Sequence, residues 1–150
     1  FENLSEDIFR YFGLGCRSVS KIFVPRAFNF DLFFEGMYKQ KHIIHNTKYA
    51  NNYDYNRAIY LMEHHDFLEN GFFIIKENES LHAPVSVLHY ERYDQVEDLE
   101  GKIEAQAENI QCIVTEMEAF PNSVSFGESQ KPKLWDYADN VDSLAFLRSL

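Results

Sequence analysis

Residues 11–25 read YFGLGCRSVSKIFVP and hold one of the two cysteines in this 150-residue chain. Gly13 and Gly15 permit tight backbone turns that other residues resist, and Cys16 follows them directly. Lys21 and the apolar run Ile22, Phe23 and Val24 read as a strand. Pro25 stops it, because proline has no N–H to give to a ladder. A glycine turn feeding a strand therefore raises one question. Cys16 is either a small packing residue behind a helix cap or a thiol held out by the turn for chemistry.

Outward from this stretch, helices and strands alternate. Ser5 is expected to cap a short helix over residues 6–12, with Gly13 and Gly15 ending it. Residues 30–38 have helical spacing behind Asn29 as a cap. The polar and aromatic residues 41–56 read mostly as a long loop, and 55–64 as a helix. Asn70-Gly71 is a turn before a strand at 72–76, and Pro84 precedes a strand at 85–90. Residues 96–107 form an amphipathic helix, with Val96, Leu99 and Ile103 inward and Glu97, Asp98, Glu100 and Glu104 solvated. A short buried strand at 111–115 and a closing helix at 141–150 complete the reading. Strands separated by helices predict a single α/β domain over 1–150, its sheet mostly parallel and flanked by helices.

Composition narrows the function. Hydrophobic residues make up 45% and aromatics 16%, a folded chain rather than a disordered one. The net charge of -10 repels phosphate backbones and argues against nucleic acid as a partner. No apolar run is long enough for a bilayer span, and no secretory signal pattern opens the chain. Two distant cysteines suit a reducing cytoplasm better than a disulfide scaffold. The first residue is Phe, so the chain is expected to be a piece of something longer.

If a helical turn begins at or just after Cys16, its free N–H groups would favour a thiolate and could hold an oxyanion, with Arg17 and Lys21 adding positive charge. Cys112, inside the apolar IQCIVT, reads as core. His42 with His45, and the adjacent His64 and His65, lack any metal-ligand motif, so no metal site is expected. KYANNYDYNRAIY, residues 48–60, reads as a structural loop that could also meet a ligand. Trp135 reads as a packing anchor or a contact with another domain or subunit.

GLGCRSVSKIFV resembles the active-site cysteine segment of the aldehyde dehydrogenase superfamily: a glycine turn, the cysteine, small residues Ser18 or Ser20, basic Lys21 five places on, then an apolar strand. ESLHAPVSVLHY, from Glu79, is similar to the family's glutamate-glycine-proline-valine segment, and SVSFGESQKP, from Ser123, to its Pro-Phe-Gly segment. YFGLGCRSVSKIFVP, NNYDYNRAIYL, IQCIVTE and DYADNVDSLAFL together look like the LuxC-like acyl-CoA reductase branch. This resemblance implies an aldehyde-dehydrogenase-like catalytic domain in which Cys16 accepts an acyl group from acyl-CoA or another acyl thioester. NADPH or NADH, bound mainly by a nucleotide-binding part upstream, then reduces the acyl-enzyme to an aldehyde. It implies cofactor contacts at Glu79, Ser80 and Phe126, a homo-oligomer, and a tail whose Phe126 and Trp135 are buried in the intact enzyme beside the cysteine segment or a domain interface. The sequence departs from the family pattern in places. The ribose-contact glutamate falls at Ser80, one residue after Glu79; His82 and Ala83 replace Phe-Gly; and Ser125 stands before Phe126-Gly127 instead of proline. The alternatives are a superfamily member acting on an aldehyde or an acyl phosphate, and a non-catalytic assembly domain of the same fold.

Overall fold

A computed structural model describes residues 1–120, 122–138 and 141–150. Asp139 and Asn140 of the DYADNVDSLAFL segment lie outside the described residues. In chain order the regular elements are α1 (Glu2–Phe9), a 3-10 turn (Arg10–Gly13), β1 (Lys21–Pro25), α2 (Phe30–Met37), a 3-10 segment (Tyr38–His45), α3 (Thr47–Met62), β2 (Leu68–Glu69), β3 (Ile74–Glu77), β4 (Val87–Tyr93), α4 (Val96–Ala105), a 3-10 turn (Ala107–Asn109) and α5 (Ser143–Arg148). The fold is mixed α/β with a four-stranded, mostly parallel sheet. Its order is β1-β4-β3-β2; β4 runs parallel to both β1 and β3, and β2 closes the far edge antiparallel to β3.

Register sorts the two faces of the sheet. Ile22, Val24, Tyr90, Leu88 and Ile75 belong to one face and pack into a core with Phe30, Phe33 and Met37 of α2 and with Leu4, Ile8 and Phe9 of α1. Phe33 is 1% exposed and meets Phe1 and Phe28 edge-on, at ring-centroid separations of 5.5 and 6.2 Å. Such aromatic pairs add to area burial because each ring edge meets a π face. Lys21, His89 and Lys76 form a row across the opposite face, which α3 and α4 border through Tyr60 under Lys76 and Lys102 bonded to Glu91.

Several expectations are corrected. Ser5 is not a cap: α1 starts at Glu2, and the buried Ser5 hydroxyl donates to the Glu2 carbonyl at 2.6 Å. Residues 41–56 are not a loop. Asn46 accepts from the Lys48 and Tyr49 N–H groups, both at 3.1 Å, and caps a 16-residue helix. Its buried face is Tyr49, Tyr53 and Asn56, a spacing of four and then three residues. This face hides from a hydropathy reading because two of its three residues place their polar atoms on partners: Tyr53 donates to Glu69 at 2.5 Å and Asn56 to the Val85 carbonyl at 2.8 Å, while the buried Tyr49 hydroxyl has no hydrogen-bond partner among the described residues. Residues 111–115 are half-buried and irregular rather than a buried strand, joined to the next segment through an isolated bridge, Val114 to Val124. They lie beyond the free edge of β1 without pairing to it. The helix expected over 141–150 is shorter and wholly exposed. Trp135 is 70% exposed, with Lys133 over its ring, so within this chain it anchors no core.

Candidate functional site

The Cys16 segment leaves α1 through an unusual backbone. Tyr11, Phe12 and Gly13 take φ values of 56, 62 and 71°, three left-handed residues in succession. The chain then makes a tight turn over residues 15–18, closed by the Ser18 N–H to the Gly15 carbonyl at 2.9 Å. Cys16 and Arg17 occupy its central positions. No helix begins at Cys16. The conditional expectation of a helix N-terminus behind the sulfur therefore gives way to a turn that runs into β1. The thiol is exposed, and among the described residues its sulfur takes no hydrogen bond. The N–H groups of Cys16 and Arg17 likewise donate to no backbone carbonyl among those residues.

Cys16 borders a mostly apolar cavity of about 440 Å³ along the free edge of β1. Ile22 lines it from β1, Leu99 and Ile103 from α4, and Val114 and Phe126 from the irregular segments beyond. Cys112 lines the same cavity but differs in kind. It is half-buried, the Arg17 Nη2 lies 3.4 Å from its sulfur, and desolvation pushes its thiol pKa up, against the opposing pull of the Arg17 charge. A raised pKa leaves less thiolate at neutral pH. Cys112 is thus a cavity-wall residue, not the core strand residue expected.

The two cations near Cys16 are committed elsewhere. Arg17 donates from Nε to the Ser129 carbonyl at 2.7 Å and stands 3.8 Å from Asp136. Lys21, its side chain 3% exposed, donates to the Glu79 carbonyl at 2.6 Å and to Glu91 at 2.8 Å. Ser20 reaches the Leu81 carbonyl at 2.7 Å. The stretch 79–82 is thereby tied to the residues just after Cys16, although Glu79 and Ser80 are exposed and do not line the cavity. Leu81 and His82 do line it. Of the three expected cofactor positions, Phe126 alone shares the cavity with Cys16. His42, His45 and His65 stay apart from it: His42 and His45 sit on the 3-10 segment before α3, and His65 pairs with Glu63 at 3.0 Å.

The stretch 127–130 fastens the cysteine turn. Gln130 donates to the Ser18 hydroxyl at 3.2 Å, and that oxygen also accepts the Gly15 N–H at 3.1 Å. A buried carboxylate, Asp7 of α1, holds this stretch, and sequence reasoning missed it. Asp7 falls among acidic residues of a helix start and looks solvated there; only its place on the inner face of α1, between Leu4 and Ile8, could have signalled burial.

No family model, curated protein sequence or solved structure matches this chain.

Proposed function

We propose that this chain is the cysteine-bearing catalytic domain of an acyl-CoA reductase resembling the LuxC-like branch of the aldehyde dehydrogenase superfamily, with Cys16 as the nucleophile. The observation that carries this reading is an exposed, unbonded thiol at the centre of a tight turn, bordering a mostly apolar cavity of about 440 Å³. The cavity suits the acyl chain of an acyl thioester, whose burial is favourable in proportion to its apolar area. The Cys16 thiolate attacks the thioester carbonyl, and the uncommitted N–H groups of Cys16 and Arg17 are donors of the kind that stabilise the resulting oxyanion. Collapse of the tetrahedral intermediate breaks the bond to the coenzyme sulfur, which leaves as a thiolate and takes a proton from solvent. The acyl group remains on Cys16 as a thioester of similar energy.

The residues of this chain do not by themselves fit a nicotinamide cofactor. Glu79 and Ser80 face solvent away from the cavity, and the cavity lining is largely apolar. In this reading NADPH, or NADH, is held mainly by a nucleotide-binding part outside these residues. The exposed Leu134, Trp135, Leu144, Phe146 and Leu147 would then meet another domain or subunit. No helix among the described residues is long and apolar enough to cross a membrane.

The test is the intact mass of the native-length protein after incubation with acyl-CoA in the absence of nicotinamide cofactor. The wild-type protein should gain one acyl group, mapped to the peptide containing Cys16. Cys16→Ala should gain none, and Cys112→Ala should acylate as the wild type does. Acylation of Cys16→Ala at the wild-type rate would overturn the reading.

A further inference from the structure

We infer that Asp7 is a positioning residue for Cys16, acting through residues 127–129 and Arg17; the inference rests on the proposed role of Cys16 as acyl acceptor. Asp7 is wholly buried. Its Oδ2 accepts the Gly127 N–H at 2.6 Å and its Oδ1 accepts the Ser129 N–H at 2.9 Å. Its own carbonyl accepts the Val19 N–H at 3.0 Å, three residues after Cys16. No Lys, Arg or His forms an ion pair with it among the described residues. A buried carboxylate without a cation is costly unless hydrogen bonds offset its lost hydration. Here the offset comes from two backbone donors on one short segment, and that requirement fixes the segment.

The segment needs fixing. Residues 127–130 belong to no helix or strand, and Gly127 takes φ +89° against Asn3, where a side chain would be strained. Once pinned, the segment presents the Ser129 carbonyl to Arg17 Nε at 2.7 Å and the Gln130 amide to Ser18 Oγ at 3.2 Å. Arg17 and Ser18 are the two residues after Cys16 in its turn. The chain of contacts therefore runs from the Asp7 carboxylate, through two N–H groups and one carbonyl, to the residue beside the thiol. The charge on Asp7 matters because both of its oxygens accept. An amide at this place would turn an N–H₂ toward one of the two N–H donors. Small displacements of a reacting group are expensive in rate even when the fold survives.

The experiment compares two reactions at Cys16 in the native-length protein, each normalised to the folded fraction. Acylation by acyl-CoA needs the sulfur aligned with a bound carbonyl; alkylation by iodoacetamide needs only an accessible thiolate. Asp7→Asn should slow acylation about tenfold or more, while alkylation changes by less than about threefold. Arg17→Ala, which leaves the buried carboxylate and its two N–H partners in place, should give the same split and keeps the test open if Asp7→Asn does not fold. The double variant should lose no more than the worse single. Unchanged acylation in the folded variants overturns the inference, and so does an equal slowing of both reactions, which would mark simple loss of local structure. A wild-type protein that does not acylate at all overturns the reductase reading first, a result visible before any substitution is made.

Discussion

The sheet with its α1 and α2 layer and the residues after α4 are held together by different physics. In the first region Phe33, Phe73, Ile75, Leu88 and Met37 are almost entirely buried, and apolar area does the holding. In the second, the described residues of 107–150 contribute no strand to the sheet; Val114 and Phe126 pack against that core from outside, and the segment is otherwise fastened at a few polar points. These include Gly127 and Ser129 on Asp7, Arg17 on Ser129, and the Phe126 N–H on Glu116 at 3.0 Å. Cys16 stands where the two meet. Its turn belongs to the first region by sequence and to the second by its bonds. The difference teaches that the sheet supplies a rigid base for the thiol, while polar contacts from a distant segment set its final position.

Three measurements would break or sharpen this contrast. Phe33→Ala should be the most damaging, costing about 3–5 kcal/mol, because truncating a buried ring loses its transfer free energy and leaves a cavity. Urea unfolding would read the loss. A cost near that of a surface substitution would mean that the aromatic cluster does not dominate the first region.

A smaller effect is expected from pH. His89 is 4% exposed, and its Nδ1 lies 2.9 Å from the Ser80 carbonyl, a contact that suits a neutral ring donating from that nitrogen. Burial lowers its pKa from the ordinary 6.5; the Ser80 contact works against this, and Lys76 and Lys21 on the neighbouring strands reinforce it. The unfolded chain therefore binds the proton more readily. The stability contributed by neutral His89 is complete above about pH 6.5 and falls as the pH drops through and below that value toward the folded pKa. Thermal unfolding between neutral and mildly acidic pH should show a steeper decline for wild type than for His89→Gln. Equal slopes would remove His89 as the cause.

Trp135→Ala should change stability least, within about 0.5 kcal/mol, since the ring is mostly exposed and lies outside both cores. A loss as large as that for Phe33→Ala would show that the second region is packed rather than pinned.

How much was legible follows the same divide. The strand behind Cys16, its stop at Pro25 and the amphipathic α4 were readable because each rests on local chemistry: a missing N–H, or an apolar stripe with Leu99 inward. The exposed position of Cys16 was one of two open readings, and Gly13 and Gly15 pointed to the turn. Helix α3 was not readable, since its inward residues are two tyrosines and an asparagine, of which Tyr53 and Asn56 bond to residues far along the chain. The IQCIVT stretch misled in the opposite sense: its apolar alternation is that of a strand, but it lines a cavity beyond the sheet edge and pairs with no strand there. Asp7 was illegible because its partners lie 120 and 122 residues away.

The register of β1 carries a consequence for the order of assembly. Lys21 pairs with His89 and Pro25 with Tyr93, and β1 has no other neighbour in the sheet. Closing so long a loop before any ladder bond forms is a slow, entropically opposed step. During synthesis the thiol leaves the ribosome well before the strand that anchors its turn, and Ser129 and Gln130 follow later still. The turn therefore acquires its full set of contacts only after nearly all of the described chain has appeared.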